Sequence, residues 1–205
     1  MNLKKLLISS IVVMAALSTQ VYAKELQAQV QKNTANANKA VKTSPVQAPS
    51  ATQAYPEISK LIEYNHCAEA DVKIRQLLNM KPNDINLLAL RAVSLAKQFK
   101  LDPAQKELDK LLKQYPKNPT LHYAQGLVFL QRTTSSDVDY IKNTRGLINS
   151  AIKEFVTAVT LNTKYYEAYN AMGVATLKLG NRNDAMDLFN TAIKVNPSFA
   201  TSYDN

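Results

Sequence analysis

Residues 166–199 read YEAYNAMGVATLKLGNRNDAMDLFNTAIKVNPSF, and this stretch decides the fold. Tyr169, Met172, Gly173 and Thr176 fall on one face of a helix, and Gly180 then breaks the chain. A second amphipathic stretch carries Ala185, Phe189 and Ala192 until Pro197 stops it. The same grammar recurs upstream. Ala70, Ala104, Ala151 and Ala185 are separated by 34, 47 and 34 residues. Four residues after each come Ile74, Leu108, Phe155 and Phe189; three further on come Leu77, Leu111, Ala158 and Ala192. Pro82, Pro116, Thr163 and Pro197 follow five residues later. The first-helix offsets repeat as well, with His122, Gln125, Gly126 and Phe129 in one unit and Leu88, Arg91, Ala92 and Leu95 in the unit before. A period of this length marks a repeat architecture whose units bury their apolar faces only by stacking.

These residues resemble the tetratricopeptide repeat (TPR), a helix–turn–helix unit, in an exported bacterial form. Tyr169, Met172, Gly173, Ala185, Phe189, Ala192 and Pro197 fill its large, apolar, small, small, aromatic, small and proline positions, while Thr176 departs from the usual aromatic. Small residues at Gly126, Gly173, Ala104 and Ala185 let helix backbones approach, and bulky Leu88, Phe129, Phe155, Tyr169 and Phe189 fill the gaps between ridges. The expected fold is all-α: an α-solenoid of stacked helix–turn–helix repeats preceded by a signal peptide and a disordered linker. The units are expected at about 51–84, 85–118, 119–165 and 166–199, with the start of a further one at Ala200.

Composition agrees. Only 4 of 205 residues are glycine, against roughly 7% in average usage, so a hairpin-rich β fold lacks residues for its turns. The single cysteine, Cys67, excludes an internal disulfide and a Cys-based zinc site. Lys4 and Lys5, the apolar run Leu6–Leu17 and Val21-Tyr22-Ala23 have the layout of a secretory signal peptide cleaved after Ala23. That run is too short for a membrane span, which needs about 20 apolar residues. No stable membrane insertion of the mature chain is expected, and its location is periplasmic, extracellular or the cell envelope. Residues 24–54 are polar, with Pro45 and Pro49, and read as a disordered linker. The +9 formal charge lies largely in these two segments. From Tyr55 onward 19 Lys and Arg face 15 Asp and Glu, with no basic stripe, so nucleic acid is not an expected partner.

Two irregularities interrupt the repeat. The third unit carries 13 additional residues between Leu130 and Gly146. Thr133-Thr134-Ser135-Ser136 reads as a break, with Ser136 or Asp137 as N-cap. Val138, Ile141, Arg145, Ile148, Ile152, Phe155 and Val159 then follow helical spacing, which predicts a second helix lengthened at its start. A break at Gly146 would instead leave a short separate helix, and a disordered loop is the third reading. At the other end, Ala200–Asn205 opens a unit that stops, so the array is either a fragment of a longer one or has its final face covered by a partner or by a second copy, the latter around Tyr169, Phe199 and Tyr203.

No catalytic, metal or cofactor site is expected. His66 and Cys67 are adjacent at an inter-helix turn and do not converge on one atom, and Cys67 matches the apolar Leu101. His122 occupies the packing position of Tyr169 and Leu88 and reads as half-buried filler. What the resemblance implies is a protein or peptide partner held in a concave groove lined by the first helices. Its lining positions fall on Asn86, Ala89, Val93, Ala96 and Lys97; on Thr120, Tyr123, Leu127, Leu130 and Gln131; and on Glu167, Asn170, Val174, Leu177 and Lys178. The Lys and Asn clamp by which some members hold a peptide carboxylate is replaced by Ala89, Val93, Tyr123 and Leu127. Apolar lining suits an amphipathic helix or an extended apolar peptide, and equally suits helix-on-helix packing. Tyr123 is the leading anchor, since Tyr offers contact area at little entropy loss.

Overall fold

The computed structural model describes Ala28, residues 49–136 and residues 143–197. The signal peptide, most of the linker, Val138, Ile141 and the unit opening at Ala200 lie outside these residues. The described helices, numbered in chain order, are α1 (Ala51–Ala54), α2 (Pro56–Glu63), α3 (Cys67–Met80), α4 (Ile85–Lys97), α5 (Leu101–Gln114), α6 (Pro119–Arg132), α7 (Thr144–Leu161), α8 (Tyr166–Lys178) and α9 (Arg182–Val195). No strand occurs among the described residues.

The helices form two layers. Each first helix (α2, α4, α6, α8) packs on its own second helix (α3, α5, α7, α9) and on the next first helix, while each second helix also touches the following first helix. That is the nearest-neighbour stacking of a solenoid. Ala70, Ala104, Ala151 and Ala185 are fully buried at the same register, as are Leu108 and Phe155. Gly126 and Gly173 leave room for the rings of Phe155 and Phe189, where a Cβ would collide.

Local chemistry sets the ends of each helix. Asp84 accepts from the backbone of Asn86 and Leu87, and Asn118 accepts from Thr120 and Leu121, so both cap first helices. The turns into the second helices of the first, second and fourth units have positive φ at Asn65, Phe99 and Gly180. In each, the next amide bonds five residues back: His66 to Leu61, Lys100 to Leu95 and Asn181 to Thr176. This is the glycine-favouring close of a helix, which Gly180 adopts freely and Asn65 at small cost, whereas Phe99 is strained. In the third unit the equivalent residue, Thr133, is right-handed instead, and the extra residues enter there.

Two expectations change at this point. The second helix of the third unit does not start near Ser136. It starts at Thr144 with Asn143 at its N-cap and has 18 residues where α3, α5 and α9 have 14. Gly146 stays helical, beside the Asn143 side chain, so the lengthening within the described residues is one turn. The polar linker also ends before Ala54. Ser50 caps α1 in a reciprocal pair with Gln53, and Ala51 is buried. In register, α1 is the first turn of the first unit's first helix, whose expected span is split at Tyr55. Pro56 disfavours a helical conformation in the residue before it, and Tyr55 sits at φ −136°, ψ 66°. The Tyr55 hydroxyl donates to Asp84 Oδ2 at 2.6 Å, fixing the kink to the start of α4. That bond to a carboxylate pushes the Tyr55 phenol up to about 12.

Candidate functional site: the concave groove

A cavity of about 240 Å³ opens between α1 and the four first helices, and no second helix contributes to it. Its apolar wall is Ile62, Ala89, Leu90, Val93, Ala124 and Leu127, and its polar rim includes Thr52, Glu63, Lys97 and Asn170. One side is rigidly backed. Tyr123 packs its ring 5.1 Å from Tyr165 and 6.0 Å from Phe155, centroid to centroid.

The floor of the groove is polar and buried. Glu167, 5% exposed, accepts a 2.5 Å hydrogen bond from the hydroxyl of Ser50, itself 3% exposed and 117 residues away. The kink at Tyr55 is what allows this, because it turns the first helical turn across the concave face to the last described unit. Burial pushes the Glu167 carboxyl up, against the opposing donation from Ser50, its own backbone amide and Tyr166. Glu167 Oε2 and the Ser59 and Tyr165 hydroxyls are buried with no partner in hydrogen-bond geometry. Burial also pushes the Tyr165 phenol well above its ordinary range, reinforced by Tyr123 and Glu167 and opposed by the Thr120 and Ser50 hydroxyls. This is a site with both donor and acceptor capacity to spare.

Of the residues placed in the groove from the sequence, the cavity brings together Ala89, Val93, Lys97, Thr120, Tyr123, Leu127, Glu167 and Asn170. It leaves out Asn86, Ala96, Leu130, Gln131, Val174, Leu177 and Lys178. Val174 and Lys178 face solvent from the last described first helix. Tyr123 is half-buried: it lines the cavity while its ring packs on Tyr165 and Phe155. Ala51, Thr52, Ser59, Ile62 and Glu63 line the cavity but were not anticipated. The signal for four of them was present: counted from Ala51, the lining offsets used for later units fall on Thr52, Tyr55, Ser59, Ile62 and Glu63.

His122 is not filler. Its Nδ1 lies 2.7 Å from Glu154 Oε2 and its Nε2 lies 2.9 Å from the Pro116 carbonyl, tying α6 to α7 and to the end of α5. Both partners are acceptors, so only the doubly protonated ring satisfies both. Burial acts to lower the His122 pKa, but the Glu154 and Pro116 bonds and the Glu154 charge outweigh it, and the net direction is up. Cys67 is buried at the start of α3, as Leu101 is at the start of α5, while His66 stays on the surface near Glu69. Tyr169 is fully buried within its own unit and offers no surface for self-association. Among the described residues no cluster of His, Cys, Asp and Glu is placed to hold a metal ion. No helix among them is long and apolar enough to cross a membrane.

No protein-family model and no curated protein sequence matches the chain. Solved structures do. TTC0263 of Thermus thermophilus, a thermophilic TPR protein, is similar with TM-score 0.58 and 16% identity, over 72% of this chain and 75% of that one. A MamA structure from Desulfovibrio magneticus RS-1 is similar with TM-score 0.45 and 14% identity, over 87% and 95%. A MamA structure designated MSR-1 gives 0.43 and 14%, over 86% and 95%. The fold is the TPR solenoid, on the strength of the first likeness; the other two are too low to add to it.

Proposed function

We propose that the chain is an exported, non-enzymatic scaffold that holds a protein or peptide partner in its concave groove, in envelope assembly or secretion. The observation that carries the groove is its construction: a cavity bounded by α1 and all four first helices, with an apolar wall, a polar rim and an aromatic brace behind it. The part of this surface that the four first helices supply is formed before any partner arrives, so association orders mainly the partner. Export rests on the leader pattern of Met1–Ala23, and the polar stretch after it serves as a tether.

The test uses rim residues that do not hold the core. Lys97→Glu with Asn170→Arg should reduce capture of an identified envelope partner at least tenfold with the helical signal unchanged, while Lys110→Glu on exposed α5 should not. Equal capture by both variants refutes the groove. Protein from the exported fraction should begin at Lys24, and a mass that retains Met1 refutes export.

A second reading, self-association, is favoured by a different observation. Leu177, Met186 and Ile193 are 47%, 63% and 39% exposed, whereas Ile152 and Val159, the counterparts of Met186 and Ile193 one unit earlier, are 2% and 0% exposed. Apolar side chains that a following unit would cover lie open on the last described one.

A further inference from the structure

Resting on the groove as the binding surface, we propose that Ser50–Ala54 is a ligand held in cis: the groove is built to receive a capped helix N-terminus with a Ser-Ala pair, and a partner of that chemistry must displace the chain's own first turn.

Four features converge on this. The first turn does not continue into α2. It is detached at Tyr55 and Pro56, and the detached piece is pinned by the Tyr55–Asp84 bond. Its two deeply buried residues are the ones a small motif would present: the Ser50 hydroxyl reaches a buried carboxylate, and the Ala51 methyl is 3% exposed against α4. The receiving carboxylate keeps one buried oxygen without a partner in hydrogen-bond geometry, so it can take a donor beyond the Ser50 hydroxyl. Finally, Ala51 and Thr52 share one cavity with Lys97, Leu127 and Asn170, which lie farther along the concave helices. A longer peptide entering as Ser50 and Ala51 do would fill it, and the cis segment does not. A hydroxyl before a residue no larger than alanine is therefore the minimal recognised feature. Larger side chains at the second position are excluded by the space Ala51 occupies.

The test has two arms on the full mature chain. Hydrogen exchange reads the cis contact directly. Amides of Gln53, Ala54 and Tyr55 bond to Ser50 or Ala51, and in Glu167→Ala their exchange should quicken at least tenfold while α4 and α6 amides hold. Unchanged exchange at all three overturns the proposal. The second arm uses a fluorescein-labelled peptide of residues 48–55. It should bind Ala51→Glu, whose own first turn is expelled by the size of the new side chain at a buried position, at least tenfold more tightly than it binds the unaltered chain. A peptide with Ala in place of Ser50 should bind neither chain. Ser50→Ala serves as a milder second variant, and the 222 nm signal verifies that each folds. Equal affinity of the peptide for the unaltered and released chains overturns the cis ligand. If the unaltered and released chains also capture a protein partner equally, the groove stands as a binding surface and only its self-occupancy falls.

Discussion

Gly126→Ala isolates the close approach on which the repeat packing depends. In a helix interior alanine is favoured over glycine by about 1 kcal/mol, so by propensity alone the variant should be more stable. The structure opposes this. A Cβ on Gly126 would run into Cε1 of Phe155 and lie 2.7 and 2.8 Å from its Cδ1 and Cζ. The ring has nowhere to go, being 0% exposed, with Tyr123 against it. Overpacking of a filled core costs about 1–3 kcal/mol, and a ring without slack puts this site at the upper end. The net is a loss of about 2 kcal/mol, or a fall in Tm of roughly 4–8 °C for a chain of this size. Gly173→Ala is the internal control. Its Cβ would lie 2.5 Å from Phe189 Cε1, but Phe189 is only half-buried at the end of the described stack, so the ring can tilt and the two effects nearly cancel. Thermal melts at 222 nm and urea titrations on both variants give the comparison. Gly126→Ala with unchanged or higher Tm, or equal losses at the two glycines, would refute the reasoning.

The His122 clamp should make stability depend on pH in one direction. Its folded pKa lies above the unfolded value of about 6.5, so its contribution is complete below that value and is lost as pH rises through the folded pKa. The unaltered chain should lose about 1.5 kcal/mol over that rise relative to His122→Phe, the scale of one bond to a charged group; parallel melting curves for the two from pH 5.5 to pH 9 would exclude the clamp. For the exposed apolar face, Leu177→Lys with Met186→Lys should convert any concentration-dependent oligomer to monomer in sedimentation velocity. A strictly monomeric unaltered chain at high concentration removes self-association.

The repeat was legible because its physics is local. Small residues must sit where backbones approach, and Gly126 and Gly173 each meet the aromatic ring offered by the next helix, Phe155 and Phe189. Prolines stop second helices two residues beyond Met80, Gln114 and Val195. Interactions that join distant positions left no such mark. The Ser50–Glu167 bond spans 117 residues and depends on one dihedral change at Tyr55. His122 meets Glu154 across 32 residues, at a register where the other units carry apolar or aromatic side chains. The 13 extra residues misled for a related reason: helical spacing continued through them, but the turn at Thr133 and the cap at Asn143 are decided by backbone geometry. Eight of the anticipated groove residues were found because lining follows register, and the first unit's share was missed because its register was not extended to the kinked turn.

A stack of repeats in which each unit grips only its neighbours behaves as a spring, whose small angular errors accumulate toward its ends. The link from Ser50 to Glu167 changes that mechanics, because it is a crossbar from the first turn of the array to its last described unit. Flexing that parts these two elements must break a buried hydrogen bond, whereas flexing that leaves them together need not. The elastic response of the molecule is therefore unequal: stiff against uncoiling, compliant in the turns between helices, and softened as a whole when the crossbar lets go.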